Sequence, residues 1–314
     1  GRPRVVALGG GHGLAATLTA LRRVTDQITA VVGVADDGGS SGRLREQFGI
    51  LPPGDLRMAL AALCGDDSWG RTWSRVIQHR FGGQGDLAGH SLGNLLITAL
   101  WEQTHDTVEG LDWVAALLEA QGRVLPCATV PLEIVAEVRG LDQQQPQSVT
   151  TLRGQVSVAS TLGEVVHIRL EPASPPACAE AVACLGDADG IVLGPGSWFT
   201  SVLPHLLIPD LADAIVTSTA RRVVVMNVDP ARDRETAELP LAEHLRVLHR
   251  ARADLRLDVV IVDPTDLDDH GALREACGSM GGRLEVAHVR STRSPGTHDP
   301  DRLAVALSAA LTST

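Results

Sequence analysis

Short apolar, β-branched runs alternate along the chain with longer stretches in which apolar positions recur every three or four residues. Residues 4–8 (RVVAL) and 28–34 (ITAVVGV) are almost wholly apolar, as parallel strands covered on both faces must be. Between them, in 14–24, Leu14, Leu18 and Leu21 fall at helical spacing. Apolar runs at 190–193, 222–228, 259–262 and 285–289 predict later strands. Helical patterns at 177–185, 211–217, 241–251 and 302–311 separate or follow them. Asp299-Pro300 announces the last helix, an N-cap followed by proline at the first helical position. This β-α-β-α order predicts an α/β fold with a doubly wound, mainly parallel sheet.

Two segments break the rhythm. Residues 51–121 carry helical patterns without a convincing strand, which predicts a helical excursion. Residues 123–170 carry β-like pieces (VLPCATVPLEIVAEV, QVSVAS, VVHIRL) around the polar turn 142–147, which predicts a small antiparallel appendage. No repeat is present, and 1–314 is expected to form a single domain.

Composition narrows the chemistry. The net charge of −11 argues against a nucleic-acid backbone or an anionic membrane as partner. No apolar run approaches the roughly 18 residues of a spanning helix. The first strand-like run begins at Arg4, which leaves no room for a secretory leader, so a cytoplasmic location is expected. All 27 basic residues are arginine, and tyrosine is absent. Schiff-base chemistry, a Walker-A lysine and a Ser–Lys couple are thereby excluded. Five cysteines without C-x-x-C spacing read as buried thiols, not as a zinc site or a disulfide framework.

Candidate chemistry sits where strands meet helices. The first strand runs into Gly9-Gly10-Gly11-His12-Gly13 and a helix follows, the arrangement that offers main-chain amides and a helix N-terminus to a phosphate. Gly11-x-Gly13-x-x-Ala16, with Asp36 about 20 residues on, also fits a dinucleotide fingerprint. The second strand, however, ends in Asp36-Asp37-Gly38-Gly39-Ser40-Ser41-Gly42-Arg43, a larger polar loop than ribose recognition requires. Paired Asp36 and Asp37 are candidate Mg²⁺ ligands, and Ser40, Ser41 and Arg43 candidate ligand contacts. Asp55 in PPGDLR is a candidate N-cap, and Arg57 either meets an anion or forms a surface salt bridge. Gly89-His90-Ser91-Leu92-Gly93 matches the hydrolase elbow G-x-S-x-G, but the glycine-rich approach from Gly82 cannot be a buried strand. It reads instead as a helix-capping loop offering His90, Ser91 and Asn94. Gly194, Gly196, Ser197, Thr200 and Ser201 form a similar loop–helix junction, in which Trp198 either stacks on a base or joins the core. Asn227 ends a strand at the same sheet edge.

The ordered set GGGHGL, VADDGGSSGRLRE, GILPPGDLRMAL, LAGHSLGNLL, GRVLP, GPGSWFTSVLPHLLIPD and Asn227 resembles the gluconeogenesis factor (YvcK) family across residues 4–228. That family is a branch of the CofD-like superfamily, whose other branch holds 2-phospho-L-lactate transferases. The resemblance implies a Rossmann-like, three-layer α/β/α core and a cytoplasmic protein binding a nucleotide sugar such as UDP-N-acetylglucosamine. It further implies a role linking central carbon metabolism to cell-wall synthesis and cell shape, with cell-wall-synthesis proteins as partners and a homo-oligomer as one assembly. The chain departs from the family at His12, where threonine is usual, after Asn227, and at Thr297, where arginine is usual. Two readings stand. One is a nucleotide-sugar sensor without catalysis. The other is a Mg²⁺-dependent phosphoryl or phospholactyl-type transferase acting on a nucleotide diphosphate.

Overall fold

The computed structural model describes residues 1–230, 233–294 and 296–312. Its strands are β1 (Val5–Gly9), β2 (Ile28–Val32), β3 (Arg123–Pro126), β4 (Glu133–Arg139), β5 (Val149–Arg153), β6 (Glu164–Glu171), β7 (Gly190–Leu193), β8 (Arg221–Val225), β9 (Val259–Val262) and β10 (Arg283–Val286). The helices are α1 (Gly11–Leu21), α2 (Gly39–Phe48), α3 (Gly54–Leu63), α4 (Ser68–Gln78), α5 (Leu92–Thr104), α6 (Thr107–Leu118) and α7 (Gln155–Ala159). They continue as α8 (Ala179–Gly186), α9 (Pro209–Thr217), α10 (Leu241–Ala251), α11 (His270–Ser279) and α12 (Pro300–Thr312).

Seven strands form one parallel sheet in the order β10-β9-β8-β7-β1-β2-β3, flanked by helices. The chain leaves β1 toward β2 on one side and returns to β7 on the other. The C-terminal edge between β1 and β7 is therefore the switch point at which doubly wound sheets open a crevice. All five residues of β1 are buried, which accounts for its unbroken apolar run. Leu14, Leu18 and Leu21 of α1 are buried in the same core, and truncating Leu18 to alanine would cost about 2–5 kcal/mol. Asp299 caps α12 by accepting from the amides of Asp301 and Arg302, both at 3.0 Å, as its sequence signature predicts.

The excursion is α3–α6, and the appendage is an antiparallel sheet in the order β5-β4-β6 with an exposed turn at 142–147. Three expectations are corrected. Residues 123–126 pair in parallel with β2, because the buried Val124 and Leu125 extend the main sheet and not the appendage. Residues 155–159 are helical although the valines alternate: the Asp37 carboxylate accepts from the Val156 amide at 3.0 Å and starts a helix there. The last strand ends at Val286, because the Val289 amide donates to the Asp263 carboxylate, 2.9 Å away, instead of continuing the ladder. The polar α2 carried no apolar period by which to be found.

Candidate functional site

Two loops close on one another at the switch point. Gly10 stands at the N-cap of α1 in extended conformation (φ −168°) with no side chain of its own to cap the helix, and the Asp55 carboxylate meets the Gly11 amide there. Gly11 follows at φ +58°, the left-handed region that favours glycine. A Cβ on Gly13 would overlap the Pro195 carbonyl, so α1 packs directly on the loop after β7. That loop is held from behind. Asn227 Oδ1 accepts from the Gly196 amide at 2.8 Å, and its Nδ2 donates to the Gly196 carbonyl and to Asp233. The Phe199 amide donates to the buried Glu235. Trp198 is fully buried with its indole N–H on the His244 carbonyl, which makes it a core residue and not a base-stacking platform.

Between the loops lies a cavity of about 360 Å³. It is lined by Gly10, Gly11, His12, Gly13 and Asp55 on one side and by Gly196, Ser197, Thr200, Ser201 and Asn227 on the other. Residues not offered as candidates from the sequence also line it: Gln155 and Ala159 of α7, Asp229, Asp233, Thr297 and His298. Of these, Thr297 was marked by its departure from the family pattern; α7 arrives from the appendage and is invisible to local pattern. A larger groove of about 590 Å³ beside α1, α3 and α4 has none of the glycine-loop residues, so the smaller cavity is the candidate site.

The acids are arranged differently from their order in the chain. Asp55 is not the N-cap of α3; Pro53 holds that position, and Asp55 turns its carboxylate to the glycine loop. Burial, and next the charge of Asp36, push the Asp55 carboxyl up to about 7, against the pull of Arg57 and the Gly11 amide. Asp36 accepts from the Gly38 amide at 3.0 Å, and its other oxygen lies 3.1 Å from where a Cβ on Gly54 would stand. Asp37 leaves this site to cap α7. The paired carboxylates are thus Asp36 and Asp55, not Asp36 and Asp37. Among the described residues no cluster of three or more His, Cys, Asp or Glu could hold a metal. Two carboxylates with bound waters is a donor set that suits Mg²⁺.

Ser40, Ser41, His90, Asn94 and Arg57 are all buried and lie beyond the acids, away from the lining of the cavity. Ser41 accepts from the Gly54 amide at 2.9 Å, and Ser40 Oγ stands 2.8 Å from His90 Nδ1. Arg57 is neither exposed nor in a salt bridge, which removes the surface-pair reading. Arg43 is exposed and donates to the Ala88 carbonyl. Gly38 and Gly39 begin α2, and Gly39 sits at φ +49°. Gly194 turns at φ +71° where β7 ends, and Gly9 closes β1. Ser91 caps α5 through the Asn94 amide at 3.2 Å, with no strand before it, so the hydrolase-elbow resemblance is a capping loop as expected. The five cysteines are free, and all but the half-buried Cys184 are buried.

Residues 5–290 match the family model described as 2-phospho-L-lactate transferase CofD. The chain belongs to the CofD family. Within it, a Listeria monocytogenes protein named gluconeogenesis factor is 37% identical over 267 residues, covering 84% of this chain and 78% of its own. A Mycobacterium leprae protein provisionally given the same name is 48% identical over 308 residues, covering 97% of this chain and 85% of its own. A Bacillus halodurans crystal structure, of a protein assigned to the UPF0052 family, superposes with a TM-score of 0.82 at 30% identity, covering 98% of this chain and 99% of its own. This CofD-family chain has no single helix, among its described residues, long and apolar enough to cross a membrane.

Proposed function

We propose that this chain is a gluconeogenesis factor that binds a nucleotide sugar of the UDP-N-acetylglucosamine type in the cleft between its two glycine loops. The observation that carries the reading is the glycine-rich N-terminus of α1, with Asp55 at its Gly11 amide, facing the loop 194–201 across one cavity. A diphosphate placed there accepts main-chain amides from the glycine loop and meets the positive end of the helix dipole. The cavity volume lies within the roughly 300–1,000 Å³ of small-molecule sites. A phosphate at this position also stands close to Asp55. Two anions in contact need a cation, and Mg²⁺ held by Asp36 and Asp55 supplies it. The neighbours that carry the gluconeogenesis factor name support the gluconeogenic part of this reading, and the proposal extends it to sugar-nucleotide sensing with partners in cell-wall synthesis.

A second reading, a Mg²⁺-dependent transferase, is favoured by the family model and by the same Asp36–Asp55 pair. One experiment separates them. Calorimetric titration with UDP-N-acetylglucosamine, with and without Mg²⁺, is followed by assay for UMP, UDP and phosphate. Binding with no product supports the sensor. Product release supports the transferase, and absence of binding removes the nucleotide-sugar reading altogether.

A further inference from the structure

Three helices begin at one point behind the Asp36–Asp55 pair, and the contacts among their first turns are direct. Ser41 of α2 accepts from the Gly54 amide of α3. Ser40 of α2 accepts from Asn94 Nδ2 of α5 at 3.0 Å. A Cβ on Gly93 of α5 would stand 2.7 Å from Arg57 Cγ of α3. Each helix has ten residues or more, so three positive dipole ends meet here.

Side chains add to that potential. Arg57 as a residue is only 4% exposed, and its Nε and Nη1 are buried without a hydrogen-bond partner among the described residues. Asn94 is 1% exposed, and its Oδ1 also lacks a partner. Burial, and next Arg43 and Arg80, hold the His90 imidazole below its ordinary value. Burial, and next Arg80, bring Arg57 down to about 10, while Asp55 and Asp36 pull the other way. Arg57 and three helix termini thus lie behind the two carboxylates, while the exposed Arg43 and Arg80 hold the Ala88 and Gly89 carbonyls on the far side of His90.

Buried polar atoms in native proteins are satisfied by protein, water or ligand, and the unsatisfied ones ask for an explanation. An oxyanion answers it: an oxygen accepts from a partnerless N–H of the Arg57 guanidinium, and its hydroxyl, where it carries one, donates to Asn94 Oδ1. We infer that Arg57 and Asn94, roofed by Ser40 and His90, form a second ligand subsite for a small oxyanion of the phosphate or carboxylate class. It is distinct from the diphosphate cradle and adjoins it through Asp55. The subsite does not depend on which nucleotide, if any, the cradle takes.

The test follows the side-chain Nε–H signal of Arg57 by NMR in the wild-type protein, assigned by through-bond correlation from its own backbone amide. The protein is titrated with inorganic phosphate and, separately, with malonate. The expected result is a saturable shift of that signal, with calorimetric affinity about tenfold weaker in the Arg57→Lys variant, which keeps the charge and loses the guanidinium. Saturation by phosphate alone assigns the phosphate class, and saturation by malonate alone the carboxylate class. An Arg57 signal unmoved by either anion overturns the proposal, even where the amides of Gly10 and Gly13 shift. Those glycine amides, titrated with UDP-N-acetylglucosamine in the same sample, report on the cradle independently. The wild-type titration decides the matter whether or not the variant folds.

Discussion

An Asp55 oxygen stands 2.6 Å from where a Cβ on Gly10 would sit, so the first glycine loop and the first turn of α3 meet without room for a methyl group. The contact joins two unlike signs, since the N-terminal end of α1 is positive and the carboxylate beside its Gly11 amide is negative whenever it is ionised. The site is therefore a dipole end with its own resident acid, and that acid makes its charge state the variable on which binding turns.

Gly10→Ala tests this contact without straining the backbone. Gly10 is extended, a conformation any residue adopts, so the only penalty is the methyl pressing on the Asp55 carboxylate. We expect UDP-N-acetylglucosamine affinity to fall by about tenfold or more, about 1.4 kcal/mol, with thermal stability nearly unchanged. Unchanged affinity in a folded variant would mean that the loop and Asp55 do not act on the ligand together.

Mg²⁺ affinity should depend on pH with a defined sign. The Asp55 carboxyl sits at about 7 because burial and Asp36 favour its neutral form, and a cation needs the ionised form. Affinity should rise about tenfold per pH unit up to about pH 7 and level off above it. Near pH 6, binding should release close to one proton, read as a buffer-dependent calorimetric enthalpy. A profile flat from about pH 5.5 to 8.5 contradicts the assignment of Asp55.

Asp36 and Asp37 should behave as different kinds of residue despite being neighbours. Asp36→Asn removes a carboxylate from the proposed cation pair and should weaken Mg²⁺ binding by about tenfold or more. Asp37→Ala removes only the cap on the Val156 amide. It should cost about 1 kcal/mol of stability, read by thermal unfolding, and leave Mg²⁺ affinity in place. Equal loss of Mg²⁺ binding in both variants would restore the adjacent pair.

These two residues also show how far local reading reaches. The glycine loop after β1 and the strands beside it were legible, because apolar runs and glycine clusters are signals within a few residues of one another. Adjacent side chains on an extended segment point to opposite sides, so proximity of Asp36 and Asp37 in the chain predicts their separation in space. The partner that Asp37 reaches is 119 residues away, on a helix whose valines alternate as a strand's would. Asp55 carried a capping signal two positions removed from the observed cap, since PPGD lets Pro53 take the cap and frees the carboxylate to turn. The burial of Arg57 depends on Gly93 of α5, a packing contact that no local window contains.

Ser91 presents the sharpest contrast between motif and environment. It stands at the centre of G-x-S-x-G, yet it is fully buried and its oxygen accepts from the Asn94 amide at the start of α5. A serine nucleophile needs an exposed oxygen at the top of a strand and a base within reach, and here the histidine beside it, His90, is engaged with Ser40. Ser91→Ala should lower unfolding free energy by about 1 kcal/mol, the usual cost of losing an N-cap. Nucleotide-sugar affinity should stay within about twofold, because the oxygen faces its own helix and not the cleft. A fluorophosphonate probe should leave the wild-type chain unlabelled at this serine by mass spectrometry; labelling there would require the loop to open and the capping role to yield to chemistry.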